Sequence, residues 1–295
     1  MIFWSCTNKM TKVAVLLPAY NEEVAIASMI LLSSEYADEV IVIDDGSSDR
    51  TREVSQMAGA TVLYHNVNKG KGVALKTGFE YAKNFDIVVT IDADGQHNPS
   101  EIPILIKPIL DGEADIVNGS RYLNNQDTST PKYRRVGQSV LDTATNIASG
   151  IKLTDSQSGF RAFSSESIQS FNFDSEGFGI ESDMLIEAAE NNLRIVEVEI
   201  TVRYDVNTTT ANPVVQGLTV LLRVLELMRF NRPLYYYGIS GAIIMFFGIL
   251  IYFTLKSTLY STNIYLMSVS VFVMLMGFVL IMSGLFTEYL NRFKK

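Results

Sequence analysis

The sequence predicts an α/β domain built on a mostly parallel sheet, followed by a hairpin of two membrane-crossing helices. Three observations carry that prediction. Short apolar runs without polar alternation recur at residues 13–17, 40–43 and 87–91, as in strands covered on both faces. Helical periodicity fills the intervals at 22–34 and 51–58, so the order reads βαβαβ. Near the C-terminus charge almost vanishes, and residues 233–287 hold Lys256 as their single charged side chain.

Taken in order, residues 1–11 are an N-terminal extension whose only apolar run is Ile2-Phe3-Trp4, far short of a signal-peptide core. Met10 is a second candidate start. The α/β domain is expected over 12–212, with Asp49 or Ser48 capping its second helix. Residues 213–232 place Gln216, Thr219, Arg223, Glu226 and Arg229 on one helical face, with Val, Leu and Met opposite. That pattern suits a helix lying in a membrane surface, or one packed on the domain. Membrane helices follow at 233–256 and 263–287. Their uncharged cores, 234–255 and 264–286, are 22 and 23 residues long, against the roughly 20 that cross a bilayer. Tyr235, Tyr236, Tyr237, Tyr260 and Tyr265 suit interfacial belts. The basic tail, 288–295, carries Arg292, Lys294 and Lys295, and Arg223, Arg229 and Arg232 precede the first span. By the positive-inside rule both termini and the α/β domain lie on the cytoplasmic side of a cell membrane crossed twice. Gly238, Gly241, Gly248, Gly277 and Gly284 would let spans approach closely, including spans of a second copy in a homo-oligomer.

Composition removes several functions. A net charge of −8 excludes a nucleic-acid binder that works through a basic face. One cysteine, Cys6, forms neither an internal disulfide nor a thiolate metal cage, and two histidines, His65 and His97, leave little for a His-based zinc site.

In open α/β sheets ligands bind beyond the carboxyl ends of the strands. The three runs end in Pro18-Ala19-Tyr20-Asn21-Glu22, Asp44-Asp45-Gly46-Ser47 and Asp92-Ala93-Asp94-Gly95-Gln96. None is the Gly-rich turn of a dinucleotide-binding fold, and no P-loop follows. Carboxylates gathered at strand ends repel one another unless a cation joins them. Asp92 and Asp94, two residues apart on an extended chain, would address one ion. Mg²⁺ or Mn²⁺ takes one or two carboxylates and fills its shell with water and phosphate oxygens, which describes a nucleoside diphosphate site.

The ordered series Pro-Ala-Tyr-Asn-Glu-Glu (18–23), Asp-Asp-Gly-Ser-Ser-Asp-Arg-Thr (44–51), Asn-Lys-Gly-Lys-Gly (68–72) and Asp-Ala-Asp-Gly-Gln-His (92–97) resembles the family-2 glycosyltransferases of GT-A fold. Asn-Gly-Ser-Arg (118–121), Arg135 with Ser139, and Thr-Asp-Ser-Gln-Ser-Gly-Phe-Arg (154–161) are similar to the dolichol-phosphate mannose synthase and polyprenyl-phosphate glycosyltransferase group. The resemblance covers about residues 11–205. It implies inverting transfer of a hexose from a nucleotide sugar to dolichyl or polyprenyl phosphate on the cytoplasmic face. It also implies roles. Pro18, Tyr20, Asn21, Glu22, Asp44, Asp45 and Lys71 fall on the donor nucleotide side, while Asp92, Asp94 and Gln96 surround the metal. Arg121, Arg135, Ser139 and Arg203 would hold the acceptor phosphate. Asp92, Asp94, Arg203 and Asp183 are then the catalytic set. Within it Asp183, with Glu181 beside it, has a supporting part, at the place where relatives with hydroxyl acceptors carry a base.

A lipid monophosphate has its second pKa near 6, so it needs no strong base to become a nucleophile. Alignment with the anomeric carbon and neutralisation of the departing diphosphate remain as the enzyme's tasks. After Arg203 the chain reads Tyr204-Asp205-Val206-Asn207-Thr208-Thr209-Thr210, where mannose synthases continue toward a Gly-x-Ser-Lys turn. The donor therefore stays open between GDP-mannose and a UDP-linked glucose or N-acetylglucosamine. A processive synthase would carry Gln-x-x-Arg-Trp, and the sole Trp here is Trp4. Two other readings are a same-fold enzyme with a non-phosphate acceptor, which needs a true base, and a non-catalytic membrane protein, which has no reason to gather Asp92 and Asp94.

Overall fold

A computed structural model describes residues 11–123, 132–171, 179–203, 213–258 and 264–292. The extension at 1–10, the 204–212 segment, the turn at 259–263 with Tyr260, the end of the tail at 293–295 and the side chain of Arg223 lie outside that description. The chain forms two units that divide after Leu221.

The first unit runs β1 (Val13–Ala19), α1 (Ile26–Ser33), β2 (Glu39–Asp44), α2 (Thr51–Met57), β3 (Thr61–Tyr64), α3 (Lys71–Tyr81), β4 (Ile87–Thr90), α4 (Ile102–Leu110), β5 (Ile116–Ser120), α5 (Lys132–Ser149), β6 (Arg161–Ser164), α6 (Ser165–Ser170), α7 (Ile180–Glu190) and β7 (Ile195–Glu199). The strands make one sheet in the order β3-β2-β1-β4-β6-β5-β7. All neighbours pair parallel except β6, which is antiparallel to both β4 and β5. The unbroken apolar runs have a simple cause. Val13, Val15 and Leu17 enter one core with Ile26, Met29, Ile102 and Leu105, while Ala14 and Leu16 enter another with Leu75, Phe79, Phe163 and Met184. Both faces of β1 are covered, so neither set of alternate positions can be polar.

Some boundaries differ from the sequence reading for local reasons. α1 begins at Ile26 rather than at residue 22; residues 23–25 form a turn, and the amides of Glu22 and Glu23 donate to Thr51 Oγ1 (2.7 Å) and Asp49 Oδ2 (3.2 Å). Asp49 also accepts the Thr51 amide at 2.9 Å, which satisfies the first orphan donor of α2. Strand β3 was not foreseen. It is a four-residue edge strand, half-buried, with no apolar run long enough to stand out.

The second unit holds two helices, α9 (Pro233–Thr258) and α10 (Ile264–Arg292), entered through α8 (Pro213–Asn231), which straddles the division. Pro233–Lys256 and Met267–Asn291 are long and apolar enough to cross a membrane. They are not core helices. Phe246, Phe253, Phe272 and Phe286 each remain more than 60% exposed. The helices meet along glycines: a Cβ at Gly277 would stand 2.5 Å from the Gly241 carbonyl oxygen, and one at Gly248 would stand 2.7 Å from Met274 Cγ. These small residues close α9 onto α10 within the chain.

Candidate active site

The donor-side residues cluster at the carboxyl ends of β1 and β2. Pro18 and Ala19 pair with Ile43 and Asp44, and the exposed ring of Tyr20 follows immediately. Asn21 adopts φ +57°, with its amide donating to Ser47 Oγ (2.9 Å) and its side-chain oxygen accepting from the Ser48 amide (2.8 Å). Asp44 accepts the Ser47 amide at 3.0 Å, folding the turn at Gly46. Asp45 is buried and accepts from the amides of Lys69 (3.0 Å) and Gly70 (2.7 Å), with His65 Nδ1 at 2.6 Å. Its carboxylate thereby fixes the loop that presents Lys71 at the start of α3.

Lys71 is the centre of an ionic cluster. Its Nζ lies 2.6 Å from Asp92 Oδ1 and 2.7 Å from Glu181 Oε1. Strand β4 ends at Thr90, so Asp92 and Asp94 occupy a turn rather than an extended strand, and Asp94 accepts the Gln96 amide at 2.9 Å. Burial, the largest single influence, would raise the Asp92 carboxyl, but the surrounding positive groups, Lys71 foremost, together outweigh it and hold the group below the usual carboxylate range. Asp94 goes the other way, pushed up to about 6 by burial and by the Asp92 charge. Burial opposes the charge of Lys71 too, yet Asp92 and Glu181 keep it firmly protonated. A divalent cation would resolve this tension by neutralising the two carboxylates together. Among the described residues no group of three or more His, Cys, Asp or Glu forms a closed metal cage. Two half-buried carboxylates on one turn instead fit an ion that takes the rest of its shell from phosphate and water.

Two neighbours of Asp92 were not singled out from the sequence. Gly159 abuts it so closely that a Cβ there would stand 2.5 Å from Asp92 Oδ2. His97 Nε2 lies 3.9 Å from the same oxygen, and burial lowers the His97 pKa to about 4, so the imidazole is neutral.

Two of the three predicted acceptor arginines gather on one ring. Arg135 stacks over Tyr122 at 3.6 Å, and Arg121 lies 5.3 Å from the same centroid. Arg121 is held by the buried Asp155, which accepts from Nε (2.6 Å), Nη2 (2.7 Å) and the Arg121 amide (3.1 Å). Ser139 lies one turn beyond Arg135 on α5, exposed, its carbonyl accepting from Thr143. Arg203 is anchored through its backbone. Its amide donates to the Gln96 carbonyl at 2.9 Å, beside the His97–Val202 bridge, which places it against the acidic turn. Asp183 sits in the first turn of α7, two residues past Glu181.

One segment joins the two halves. Because β6 runs antiparallel to β4, its first residue Arg161 pairs with Thr90 at that strand's carboxyl end. Residues 154–160 therefore emerge at the same sheet edge, with Asp155 gripping Arg121 and Gly159 against Asp92. Arg161 itself is fully buried and donates to Asn118 Oδ1 (2.9 Å), the Glu181 carbonyl (2.8 Å) and the Ser156 carbonyl (2.7 Å). Burial pulls its pKa down to about 10, but it stays charged at neutral pH.

Residues 14–171 match the glycosyl transferase family 2. The chain belongs to that family. It is 33% identical over 236 residues to a UDP-N-acetylglucosamine–dolichyl-phosphate N-acetylglucosaminyltransferase of Methanococcus voltae, covering 72% of this chain and 94% of that one. An undecaprenyl-phosphate mannosyltransferase of Micrococcus luteus is 31% identical over 206 residues, 64% of this chain and 83% of the other. Among solved structures, glucosyl-3-phosphoglycerate synthase from Mycobacterium tuberculosis with Mn²⁺, UDP and phosphoglyceric acid superimposes with a TM-score of 0.60 at 26% identity, covering 75% of this chain and 78% of that one. The GT-A fold expected from the motifs is thus the fold of this family-2 glycosyltransferase.

Proposed function

We propose that this glycosyltransferase moves a hexose from a nucleotide sugar to dolichyl or polyprenyl phosphate, with retention of the phosphate on the lipid and inversion at the anomeric carbon. The observation that carries the reading is the 154–160 segment. It ties an arginine pair suited to a phosphate monoester (Arg121 and Arg135) to a two-carboxylate turn suited to a metal diphosphate (Asp92 and Asp94), in a chain that ends in two apolar helices. Relatives named for transfer to dolichyl and undecaprenyl phosphate support the acceptor class.

Pro18, Tyr20, Asn21, Glu22, Asp44 and the Asp45-held loop form the wall for the nucleoside. Asp92, Asp94 and Gln96 would hold Mg²⁺ or Mn²⁺, which when bound supplies positive charge to the leaving diphosphate. The arginine forks at 121 and 135, with Ser139, orient the acceptor phosphate through paired, charge-assisted hydrogen bonds. Arg203 and Lys71 add positive charge on the donor side. The acceptor oxygen forms its bond to the anomeric carbon as the bond from that carbon to the nucleoside diphosphate breaks, and no proton need leave an already ionised phosphate. Glu181 and Asp183 serve as supports rather than bases. The basic flanks orient the α/β domain to the cytoplasm.

Membranes holding the full chain, incubated with labelled GDP-mannose, UDP-glucose and UDP-N-acetylglucosamine, test the reading against polyprenyl phosphate and against soluble 3-phosphoglycerate. One label should enter the lipid phase, and Asp94→Ala should abolish it. Transfer to 3-phosphoglycerate alone, or lipid labelling that survives Asp94→Ala, contradicts the proposal.

A further inference from the structure

We propose that Lys71 is the resident counter-ion of the cation site, so that the nucleotide-free enzyme excludes divalent metal and the ion enters together with the donor diphosphate. This rests on reading Asp92 and Asp94 as the metal pair. Lys71 Nζ sits 2.6 Å from Asp92 Oδ1, on one of the two oxygens a metal would use. Gly159 backs both oxygens alike, since an added Cβ there would stand 2.5 Å from Oδ2 and 2.6 Å from Oδ1. Mg²⁺ needs its oxygens at about 2.0–2.1 Å in near-ideal octahedral geometry, which an ammonium on the same oxygen obstructs both sterically and by charge.

Lys71 is built to move without the fold moving. Its backbone is pinned at the start of α3, just after Gly70 (φ +92°), by the Asp45 carboxylate on the amides of Lys69 and Gly70. Its side chain is 28% exposed and ends in a compact charge on a flexible stem. Glu181, 2.7 Å away, keeps hold of the ammonium when Asp92 releases it. A donor diphosphate brings the negative charge that Lys71 needs once a cation displaces it from Asp92. Metal and nucleotide binding are therefore coupled through one side chain.

The test is Mn²⁺ binding to the detergent-solubilised full chain, read from the free-ion electron paramagnetic resonance signal, for wild type and Lys71→Met, with and without UDP or GDP. Without nucleotide the variant is expected to bind Mn²⁺ at least about tenfold more tightly than wild type, as removal of a neighbouring positive charge requires. In wild type, nucleotide should tighten Mn²⁺ binding by a similar factor, and in the variant much less. Equal or weaker Mn²⁺ binding by a folded Lys71→Met overturns the proposal. So does wild type that binds Mn²⁺ as tightly without nucleotide as with it, a measurement that stands even where the variant fails to fold. No uptake by either protein with nucleotide present overturns the metal reading itself.

Discussion

Gly159→Ala isolates the contact between the 154–160 segment and Asp92. The added Cβ would lie 2.5 and 2.6 Å from the two carboxylate oxygens and 2.7 Å from Cγ, about 1 Å inside ordinary contact. The glycine cannot retreat. Its carbonyl accepts from Thr90 Oγ1 at 2.9 Å, and the next carbonyl, of Phe160, accepts the Gly119 amide at 2.9 Å. Asp92 must therefore yield, which strains its ion pair with Lys71. Overpacking of this kind costs about 1–3 kcal/mol of stability. A displacement of about 1 Å at a catalytic group costs about 100-fold in rate, or about 2.7 kcal/mol in the barrier. Gly78→Ala is the control, because its Cβ would meet Ile43 Cδ1 at 2.8 Å and Leu16 Cδ1 at 3.0 Å, in the core and away from the site. Gly78→Ala should lose no more thermal stability than Gly159→Ala, since alanine in mid-helix regains about 0.5–1 kcal/mol over glycine. Only Gly159→Ala should lose about 100-fold in kcat/KM for the donor at a temperature where both are folded. A Gly159→Ala enzyme within twofold of wild type would refute the argument.

Asp155→Asn removes the charge that fixes the Arg121 fork, and a hydrogen bond to a charged group is worth about 1.5–3 kcal/mol. Acceptor KM should rise about 10- to 100-fold with donor KM unchanged; equal effects on both substrates would mean that Asp155 merely supports the fold. Asp142, which accepts from the amide and hydroxyl of Ser156 at 2.8 Å, has its pKa pushed up to about 6 chiefly by burial. The folded protein then holds a proton that the unfolded chain, with its group near 3.8, has lost. That contribution is fully present below pH 4 and is lost as pH rises through about 6, a change of up to about 3 kcal/mol. Asp142→Asn should accordingly gain stability relative to wild type between pH 4 and 7, measured by thermal unfolding in detergent, and a constant gap would contradict the assignment. Gly277→Val would press against the Gly241 carbonyl and should destabilise the α9–α10 pair by about 1–3 kcal/mol in a detergent unfolding titration. An unchanged midpoint would mean that the helices do not meet there.

Much of the framework was legible because its signals are local. Both faces of β1 are covered, so its apolar run could be read without a partner. The helices at the C-terminus announce themselves by length and lack of charge. Strand β3 was missed because it is short, half-buried and at the sheet edge, where tertiary pairing rather than composition makes the strand. Asp45 shows a different limit. From sequence it is one of two acidic residues at a strand end, but the fold surrounds it with the amides of Lys69 and Gly70 and the ring of His65, which no local pattern pairs with it.

The deeper reason the site was only half legible lies in the direction of β6. A run such as Arg161–Ser164 has the same residue pattern whether it pairs parallel or antiparallel, since alternation of faces is blind to chain direction. Parallel pairing with β4 would bring the segment before it to the amino ends of the strands, away from the acidic turn. Antiparallel pairing places Arg161 opposite Thr90 and so delivers Asp155 and Gly159 to the carboxyl edge. One bit of topology thus decides whether Arg121 and Asp92 share a scaffold. Arg161 is the residue that records this choice. A fully buried guanidinium is tolerable only with its donors paired, and its partners, Asn118 on β5, the Ser156 carbonyl and the Glu181 carbonyl on α7, come together only when β6 runs against its neighbours. An arginine within an apolar strand is therefore a signal in its own right: it implies a buried polar hub, and a hub at a strand end implies that the preceding loop belongs to the site.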